Sequence, residues 1–102
     1  MSKLRYFFES YEIYNEDIYD LMDEESIEDK IKLEIKEGRD GTYVLRDLTQ
    51  LELKNIKDSQ EIIQEALDNR QFANTILNKT SSRSHTIFKI TFHFTWEKDN
   101  SH

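Results

Sequence analysis

Several residue types that mark particular protein classes are absent or scarce in this 102-residue chain. It has no cysteine, which excludes disulfide bonds and thiolate metal sites and fits a cytosolic protein. No apolar run approaches the roughly 18 residues that a membrane-spanning helix needs. Proline is absent and glycine occurs only at Gly38 and Gly41, a composition that favours long regular elements and one clear turn.

Charge and aromatic content further narrow the class of protein and the partners that it could bind. Apolar residues make up 36% of the chain and charged residues 34%, so a hydrophobic core is possible but small. Six Phe, five Tyr and one Trp argue against intrinsic disorder. The formal net charge of −7 repels nucleic acids and anionic membranes, and we expect neither as a partner. At this length the chain is one small domain or part of a larger one.

Periodicity in the first third predicts a strand followed by irregular structure. Residues 4–14 are rich in aromatic and β-branched side chains on both parities, which predicts a strand that is buried on both faces. Residues 18–22 then predict a short helical turn. The acidic stretch 23–29 lacks the ligand spacing of an EF-hand loop, so we expect a solvated connector rather than a calcium site.

The remaining elements complete an α/β pattern. Residues 31–54 predict a β hairpin or small meander that turns between the two glycines. A helix is predicted over 59–77, where apolar residues recur at helical spacing after Asp58 or Ser59, either of which suits an N-cap. Residues 86–96 alternate strictly and predict a strand, whose apolar face we expect in a core rather than in a binding groove. The predicted architecture is a mixed sheet with one main amphipathic helix.

The densest chemistry lies in segment 78–85, Asn-Lys-Thr-Ser-Ser-Arg-Ser-His, between the predicted helix and the last strand. Small hydroxyls bond phosphate oxygens or a magnesium ion, and an arginine forks onto a carboxylate or phosphate. The segment therefore predicts a loop that handles phosphate and a hydrated metal ion. One alternative is a solvated serine-rich loop in which Arg83 marks a phosphorylation target. Another is a Ser84–His85 nucleophile, although neighbours on a strand point to opposite faces and relay protons poorly.

Three blocks, in this order, resemble the central part of the kinesin motor domain. The first is 10–22, where Glu-Ile-Tyr-Asn-Glu precedes Asp-Leu-Met, and the second is 41–49, Gly-Thr-Tyr-Val-Leu-Arg-Asp-Leu-Thr. The third is the helix with segment 78–85, which resembles the switch I loop of the family. The resemblance spans about residues 4–96. It implies a part of a larger fold that couples ATP hydrolysis to movement along microtubules, in the cytoplasm and on the cytoskeleton.

The resemblance also implies catalytic roles within segment 78–85. Ser82 would lie near the magnesium ion as its ligand, directly or through water, and Ser81 would approach the γ-phosphate and the attacking water. Arg83 would pair with a glutamate of switch II. Phosphoryl transfer depends mostly on positioning and charge stabilisation, which hydroxyls and one arginine are able to supply.

The outer residues of the segment have supporting roles in the same resemblance. Asn78 would contact phosphate or stabilise the loop, while Ser84 and His85 would anchor its exit. The cofactors implied are ATP and Mg²⁺, and the set of residues implied to bind them is Asn78, Ser81, Ser82, Ser84 and His85.

Two motifs of a complete nucleotide site are absent from the 102 residues. There is no Gly-x-x-x-x-Gly-Lys-Ser/Thr P-loop and no Asp-x-x-Gly of switch II. We therefore expect a central slice of a motor domain, truncated on both sides, that neither binds ATP tightly nor hydrolyses it alone.

The expected partners follow from the same resemblance. They are the rest of the motor domain and the microtubule, to which Arg46, Lys54 and Lys57 contribute little because tubulin and this chain are both acidic. An uncovered sheet edge also predicts self-association of the slice. The alternative class is a non-catalytic acidic protein-interaction module derived from a kinesin motor domain.

Overall fold

The structure is a computed structural model that describes residues 2–78 and 84–96. In chain order its elements are β1 (Ser2–Tyr14), β2 (Asp17–Asp20), α1 (Glu24–Glu28), β3 (Ile35–Glu37), β4 (Tyr43–Leu45), β5 (Leu51–Leu53), α2 (Ile56–Ile76) and β6 (Ser84–Trp96). β1, β2, β5 and β6 form a four-stranded sheet, and β3 and β4 form a separate two-stranded one. Every pairing that the structure describes is antiparallel.

β1 is the central strand of the larger sheet. It pairs with β6 along its whole length, from Ser2 opposite Trp96 to Tyr14 opposite Ser84. Its other edge is shared by β5, near the start of the strand, and β2, near its end. Aromatic side chains bridge the long pair, with ring centroids 5.2 Å apart for Tyr6 and Phe92, an edge-to-face geometry that favours cross-strand packing.

A tight hairpin joins β1 to β2. Asn15 and Glu16 both have positive φ angles, 49° and 71°, and a two-residue turn of this kind matches the twist of paired strands. The chain therefore reverses at once and residues 17–20 pair with β1. The prediction of a helical turn over 18–22 is therefore wrong. The hairpin was not recognised in the sequence because Asn-Glu is a weaker turn signal than the usual Asn-Gly.

The acidic stretch after β2 is a short helix rather than a solvated connector. The Asp23 carboxylate accepts a hydrogen bond from the Ser26 amide, 3.2 Å away, and caps α1. Ile27 is then fully buried against Leu21 and Ala73, while the acidic residues of α1 stay exposed. One apolar residue among the carboxylates is enough to fix this segment in the core.

The predicted hairpin or meander at 31–54 divides between the two sheets. β3 pairs only with β4, whereas β5 pairs with β1. Gly41 has a φ of 82° in the turn between β3 and β4, which is the conformation that favours glycine. In the same turn the Asp40 carboxylate accepts hydrogen bonds from the Thr42 hydroxyl and amide, which lower the pKa of Asp40.

β5 is attached to β1 by an ion pair on the face away from α2. The Arg5 guanidinium donates two hydrogen bonds to the Glu52 carboxylate, at 2.7 and 3.0 Å, and lies 5.0 Å from the centre of the Phe7 ring. The hydrogen bond from Arg5 lowers the pKa of the Glu52 carboxyl below its ordinary value. A two-pronged pair of this kind fixes the orientation of the short strand as well as its position.

α2 begins earlier than the pattern predicts. The Asn55 side chain accepts a hydrogen bond from the Asp58 amide at 2.8 Å, so Asn55 is the cap and the helix starts at Ile56 rather than at residue 59. Ala66 and Ala73 are buried on its inner side. The α/β class with one long helix on a sheet is confirmed. No helix in the described part of the chain is long and apolar enough to cross a membrane.

α2 covers only part of the sheet and leaves an apolar face at one end. We call this surface the apolar face. Its exposed side chains are those of Leu4, Tyr6, Ile90, Phe92, Phe94 and Trp96. Phe94 and Trp96 are 64% and 67% exposed, whereas Phe8, farther along β1, is 1% exposed. The prediction that both strands pack fully into a core is therefore wrong for this end, because one helix cannot cover 13-residue strands.

Burial of Ile27 predicts a large stability effect. Ile27→Ala should lower the free energy of unfolding by about 2–5 kcal/mol, because it leaves a cavity against Leu21 and Ala73. The matched control is Ile56→Ala, at a position 78% exposed, which should change stability by less than about 0.5 kcal/mol. Urea denaturation followed by circular dichroism measures both, and equal effects would contradict the role given to α1.

Candidate functional site

The segment that carries the predicted site lies between the end of α2 and the start of β6. Of its predicted site residues, the structure describes Asn78, Ser84 and His85. Ser81, Ser82 and Arg83 lie outside the described residues, so the roles predicted for them stay predictions. The described part of the site consists of the two ends of the segment and of the elements that hold them.

We call Asn78, where the chain enters the segment, the entrance, and Ser84 and His85, where it leaves, the exit. The backbone at the end of α2 determines the position of the entrance. Leu77 closes the helix with a hydrogen bond from its amide to the Ala73 carbonyl, at 2.9 Å. Asn78 then adopts a φ of 51°, the left-handed conformation in which asparagine and glycine commonly follow a helix. Its carbonyl oxygen accepts a hydrogen bond from the Tyr14 hydroxyl at 3.3 Å, so the end of β1 contacts the point where the chain leaves the helix.

The exit belongs to a strand and not to a loop. Ser84 pairs with Tyr14 and His85 pairs with Ile13, so β6 begins two residues before the predicted strand. This pairing corrects the predicted loop boundary at residue 85. Because the two residues are neighbours on a strand, their side chains point to opposite faces of the sheet, which argues against the Ser–His relay.

Side chains of β1 hold the first residues of β6. Glu12 is only 1% exposed, and its carboxylate accepts a hydrogen bond from the Thr86 hydroxyl. One step farther along, the Ser10 hydroxyl donates to the Ile87 carbonyl at 3.0 Å. Sequence analysis missed both contacts. The available signal was a carboxylate and a hydroxyl, Glu12 and Ser10, on the parity of β1 that also carries Leu4, Tyr6 and Phe8.

Two hydrogen bonds through Leu21 link α2, the helix that leads to the entrance, to β1. The buried Asn69 side chain donates a hydrogen bond to the Leu21 carbonyl at 2.6 Å. The Leu21 amide in turn donates to the Ser10 carbonyl at 3.0 Å, which links α2 to β1 through the chain that follows β2. Asn69 therefore helps to fix the position of α2 against β1, and with it the position of Asn78 beyond the end of the helix.

A positive side chain lies beside the exit. Arg70 of α2 lines a shallow groove together with Ser84, His85 and Thr86. The Ser84 and Thr86 hydroxyls lie on one face of β6 and His85 on the other, so the guanidinium and two hydroxyls form a donor set that suits an anion such as phosphate. Sequence analysis missed Arg70, although a cation about two helical turns before the segment was a usable signal. Within residues 2–78 and 84–96, no three His, Cys, Asp or Glu side chains cluster as a metal site.

Sequence comparison connects this arrangement with one family. The family model of the kinesin motor domain matches residues 2–102. The chain is 39% identical over 90 residues to the kinesin-like protein KIN-12F of Oryza sativa subsp. japonica, covering 88% of this chain and 3% of that protein. It is 37% identical over 83 residues to the kinesin-like protein cut7 of Schizosaccharomyces pombe, covering 81% of this chain and 8% of that protein.

Structural comparison gives the same family. A solved structure of a fast kinesin, described for its ATPase mechanism and its interactions with microtubules, aligns with a TM-score of 0.77 at 26% identity. The alignment covers 91% of this chain and 25% of that one. The chain thus spans a small part of the length of the proteins it matches, and the resemblance identified from three sequence blocks is confirmed.

The left-handed backbone at Asn78 predicts a selective response to substitution. Asn78→Gly should leave stability unchanged, whereas Asn78→Val should cost about 1–2 kcal/mol, because a β-branched side chain clashes with the backbone at a φ of 51°. Thermal denaturation measures both. Asn74→Val, at an exposed position inside α2, is the matched control and should cost less than about 0.5 kcal/mol, since Asn and Val have similar helix propensities.

Proposed function

Because the chain belongs to the kinesin motor domain family, we propose that it is the central segment of a microtubule motor that hydrolyses ATP. The observation that carries the proposal is the position of the described ends of segment 78–85, with Asn78 at the end of α2 and Ser84 at the start of β6 beside Arg70. A junction of this kind presents hydroxyls and a positive charge on a rigid frame, which is what a phosphate-sensing loop requires. The P-loop and switch II would come from other parts of such a motor.

Within this proposal each predicted site residue of the segment has one task. The Ser82 hydroxyl would hold the magnesium ion, directly or through water, and the bound ion would neutralise charge on the phosphates. The Ser81 hydroxyl would orient the γ-phosphate and the attacking water, and Arg83 would pair with a glutamate of switch II. Asn78 would stabilise the entrance through its left-handed backbone and its contact with Tyr14, and Ser84 and His85 would anchor the exit through their pairing with β1.

This segment would contribute little to microtubule attachment. Arg46 is already shared between two carboxylates, 3.6 Å from Glu34 and 3.7 Å from Asp47. Lys54 and Lys57 are exposed, but a net charge of −7 opposes approach to acidic tubulin. In the proposed motor, the basic contact surface lies on other segments, and the protein works in the cytoplasm on the microtubule cytoskeleton.

The apolar face favours a second candidate function, a non-catalytic acidic interaction module. An uncovered aromatic stripe on a negatively charged domain is a surface that binds other proteins. The two candidates differ in what the gene encodes. A reading frame that includes a P-loop upstream and an Asp-x-x-Gly downstream supports the motor, and a frame restricted to these 102 residues supports the module.

Loss of the Ser82 hydroxyl should abolish turnover in a motor that carries this chain. We expect Ser82→Ala to lower the basal ATPase kcat by roughly 10²–10³-fold, the scale seen when one positioned polar group at a reaction centre is lost. The measurement uses a chimera in which this chain replaces the matching quarter of the fast kinesin.

The matched control for that experiment is Ser59→Ala. The Ser59 hydroxyl donates to the Asn55 carbonyl at 2.8 Å, far along α2 from the segment, and its loss should leave kcat within about twofold. Full turnover in the Ser82 variant would overturn the proposed function.

The apolar face predicts self-association of the 102-residue chain. Phe94→Glu should weaken association by about tenfold or more, because burial of one aromatic side chain contributes about 1.5–3 kcal/mol. Thr95→Glu adds the same charge on the opposite face and should have little effect. Sedimentation velocity over a concentration series measures both, and a wild-type chain that stays monomeric at high concentration would refute the prediction.

A further inference from the structure

Tyr14, the last residue of β1, contacts both ends of segment 78–85. Its backbone pairs with Ser84 at the exit, and its hydroxyl donates to the Asn78 carbonyl at the entrance, 3.3 Å away. A single residue therefore brings the end of α2 and the start of β6 to the same place. The distance across the segment is then limited by the length of one tyrosine side chain.

Glu12 fixes the exit from two residues away. It lies directly opposite Thr86 in the pairing of β1 with β6, and its carboxylate accepts a hydrogen bond from the Thr86 hydroxyl at a position that is 1% exposed. A buried carboxyl group is costly without hydrogen-bond partners, and the Thr86 hydroxyl supplies one of them. The contact therefore favours one register of β6 over its neighbours.

The register of β6 matters because it determines to which face of the sheet Ser84 and His85 point. A shift of β6 by one residue would move every side chain of the strand to the other face of the sheet. Ser84 and His85 would exchange faces, and Ser84 would leave the side on which Arg70 lies. The Glu12–Thr86 contact thus favours the register in which Ser84 accompanies Arg70 in the groove.

We propose that Glu12 and Tyr14 are positioning residues, which hold the two ends of segment 78–85 at a fixed separation and register for phosphate chemistry. The inference rests on the proposed function of that segment. Within the described residues, their contacts run to the backbone of Asn78 and to β6, and through these they act on the segment. A misplacement of catalytic groups by about 1 Å costs on the order of 10²-fold in rate, so even one lost hydrogen bond at this frame should be visible.

The chain offers matched controls for both contacts. Thr91 donates from its hydroxyl to Glu9 at 3.3 Å, so the same strands hold a second Thr–Glu pair that is farther from the segment. Tyr11 lies on β1 three residues before Tyr14. Thr86→Val and Tyr14→Phe each remove one hydroxyl at the segment, and Thr91→Val and Tyr11→Phe remove the same group away from it.

The first readout is amide hydrogen exchange on the 102-residue chain. Thr86→Val and Tyr14→Phe should speed exchange at residues 78 and 84–86 by about three- to tenfold, the scale of one hydrogen bond. Thr91→Val and Tyr11→Phe should leave these amides unchanged. Equal acceleration in all four variants would mean that the contacts only stabilise the sheet, and the proposal would be wrong.

The second readout is ATPase kinetics in the fast-kinesin chimera. Thr86→Val and Tyr14→Phe should lower kcat by about tenfold, while KM for ATP stays within about twofold because other segments bind the nucleotide. Glu12→Gln, which keeps an acceptor for Thr86, should retain more activity than Glu12→Ala. A kcat equal to that of the two control variants would overturn the inference.

The two proposals fail in different ways. If Ser82→Ala leaves turnover intact but Tyr14→Phe still loosens residues 78 and 84–86, the proposed function is wrong and the positioning contacts are real. If Ser82→Ala abolishes turnover and the Tyr14 and Thr86 variants match their controls in both readouts, the motor proposal holds and the positioning role is wrong.

Discussion

The pairing of β1 with β6 is the interaction on which the rest of the structure depends. It joins two 13-residue strands along their whole length and gives β5 and β2 an edge to pair with. It also places Ser84, the first residue of β6, opposite Tyr14, whose hydroxyl contacts Asn78 beyond the end of α2. Without this pairing, the hydroxyl-rich segment would be a connection of arbitrary geometry. With it, the segment has two fixed ends.

The helix makes the second contribution to the site. Asn69 and Ala73 fix α2 against Leu21 from the inner side, and Arg70 reaches the groove at the exit from the adjacent position. A buried asparagine that satisfies a backbone carbonyl gives a specific position that apolar contacts alone do not give. Helix position and strand register therefore converge on the same few residues, which is the arrangement expected when a site is built on rigid elements.

Sequence predicted the elements with strong periodicity and missed those that depend on single contacts. The alternation in β6 and the spacing in α2 were sufficient to place both within three residues. The strand after Asn15 was missed because its turn lacks glycine, and α1 was missed because one isoleucine among carboxylates gives no period. Asn55 was passed over as a cap since Asp58 and Ser59 satisfy the same rule three and four residues later.

The candidate site likewise contains residues that the sequence predicted and residues that it did not. Its hydroxyls and arginine were visible as a motif, because chemistry of that density is local in sequence. Glu12, Tyr14 and Arg70 were not, since their part depends on which strand lies beside which and on where the helix ends. Burial was misjudged at the apolar face because alternation predicts which side of a strand is apolar, but not what covers it.

The pairing of β1 with β6 also has a consequence for how the polypeptide acquires its shape. The Ser10 and Ile87 partners are 77 positions apart, and their encounter closes a loop that contains most of these 102 residues. Contacts between such distant partners form slowly, since the entropy of closure is lost before any stabilisation is gained. During synthesis, β1 must therefore remain without its main partner until β6 has left the ribosome, and in that interval its aromatic side chains are exposed to aggregation or to chaperones.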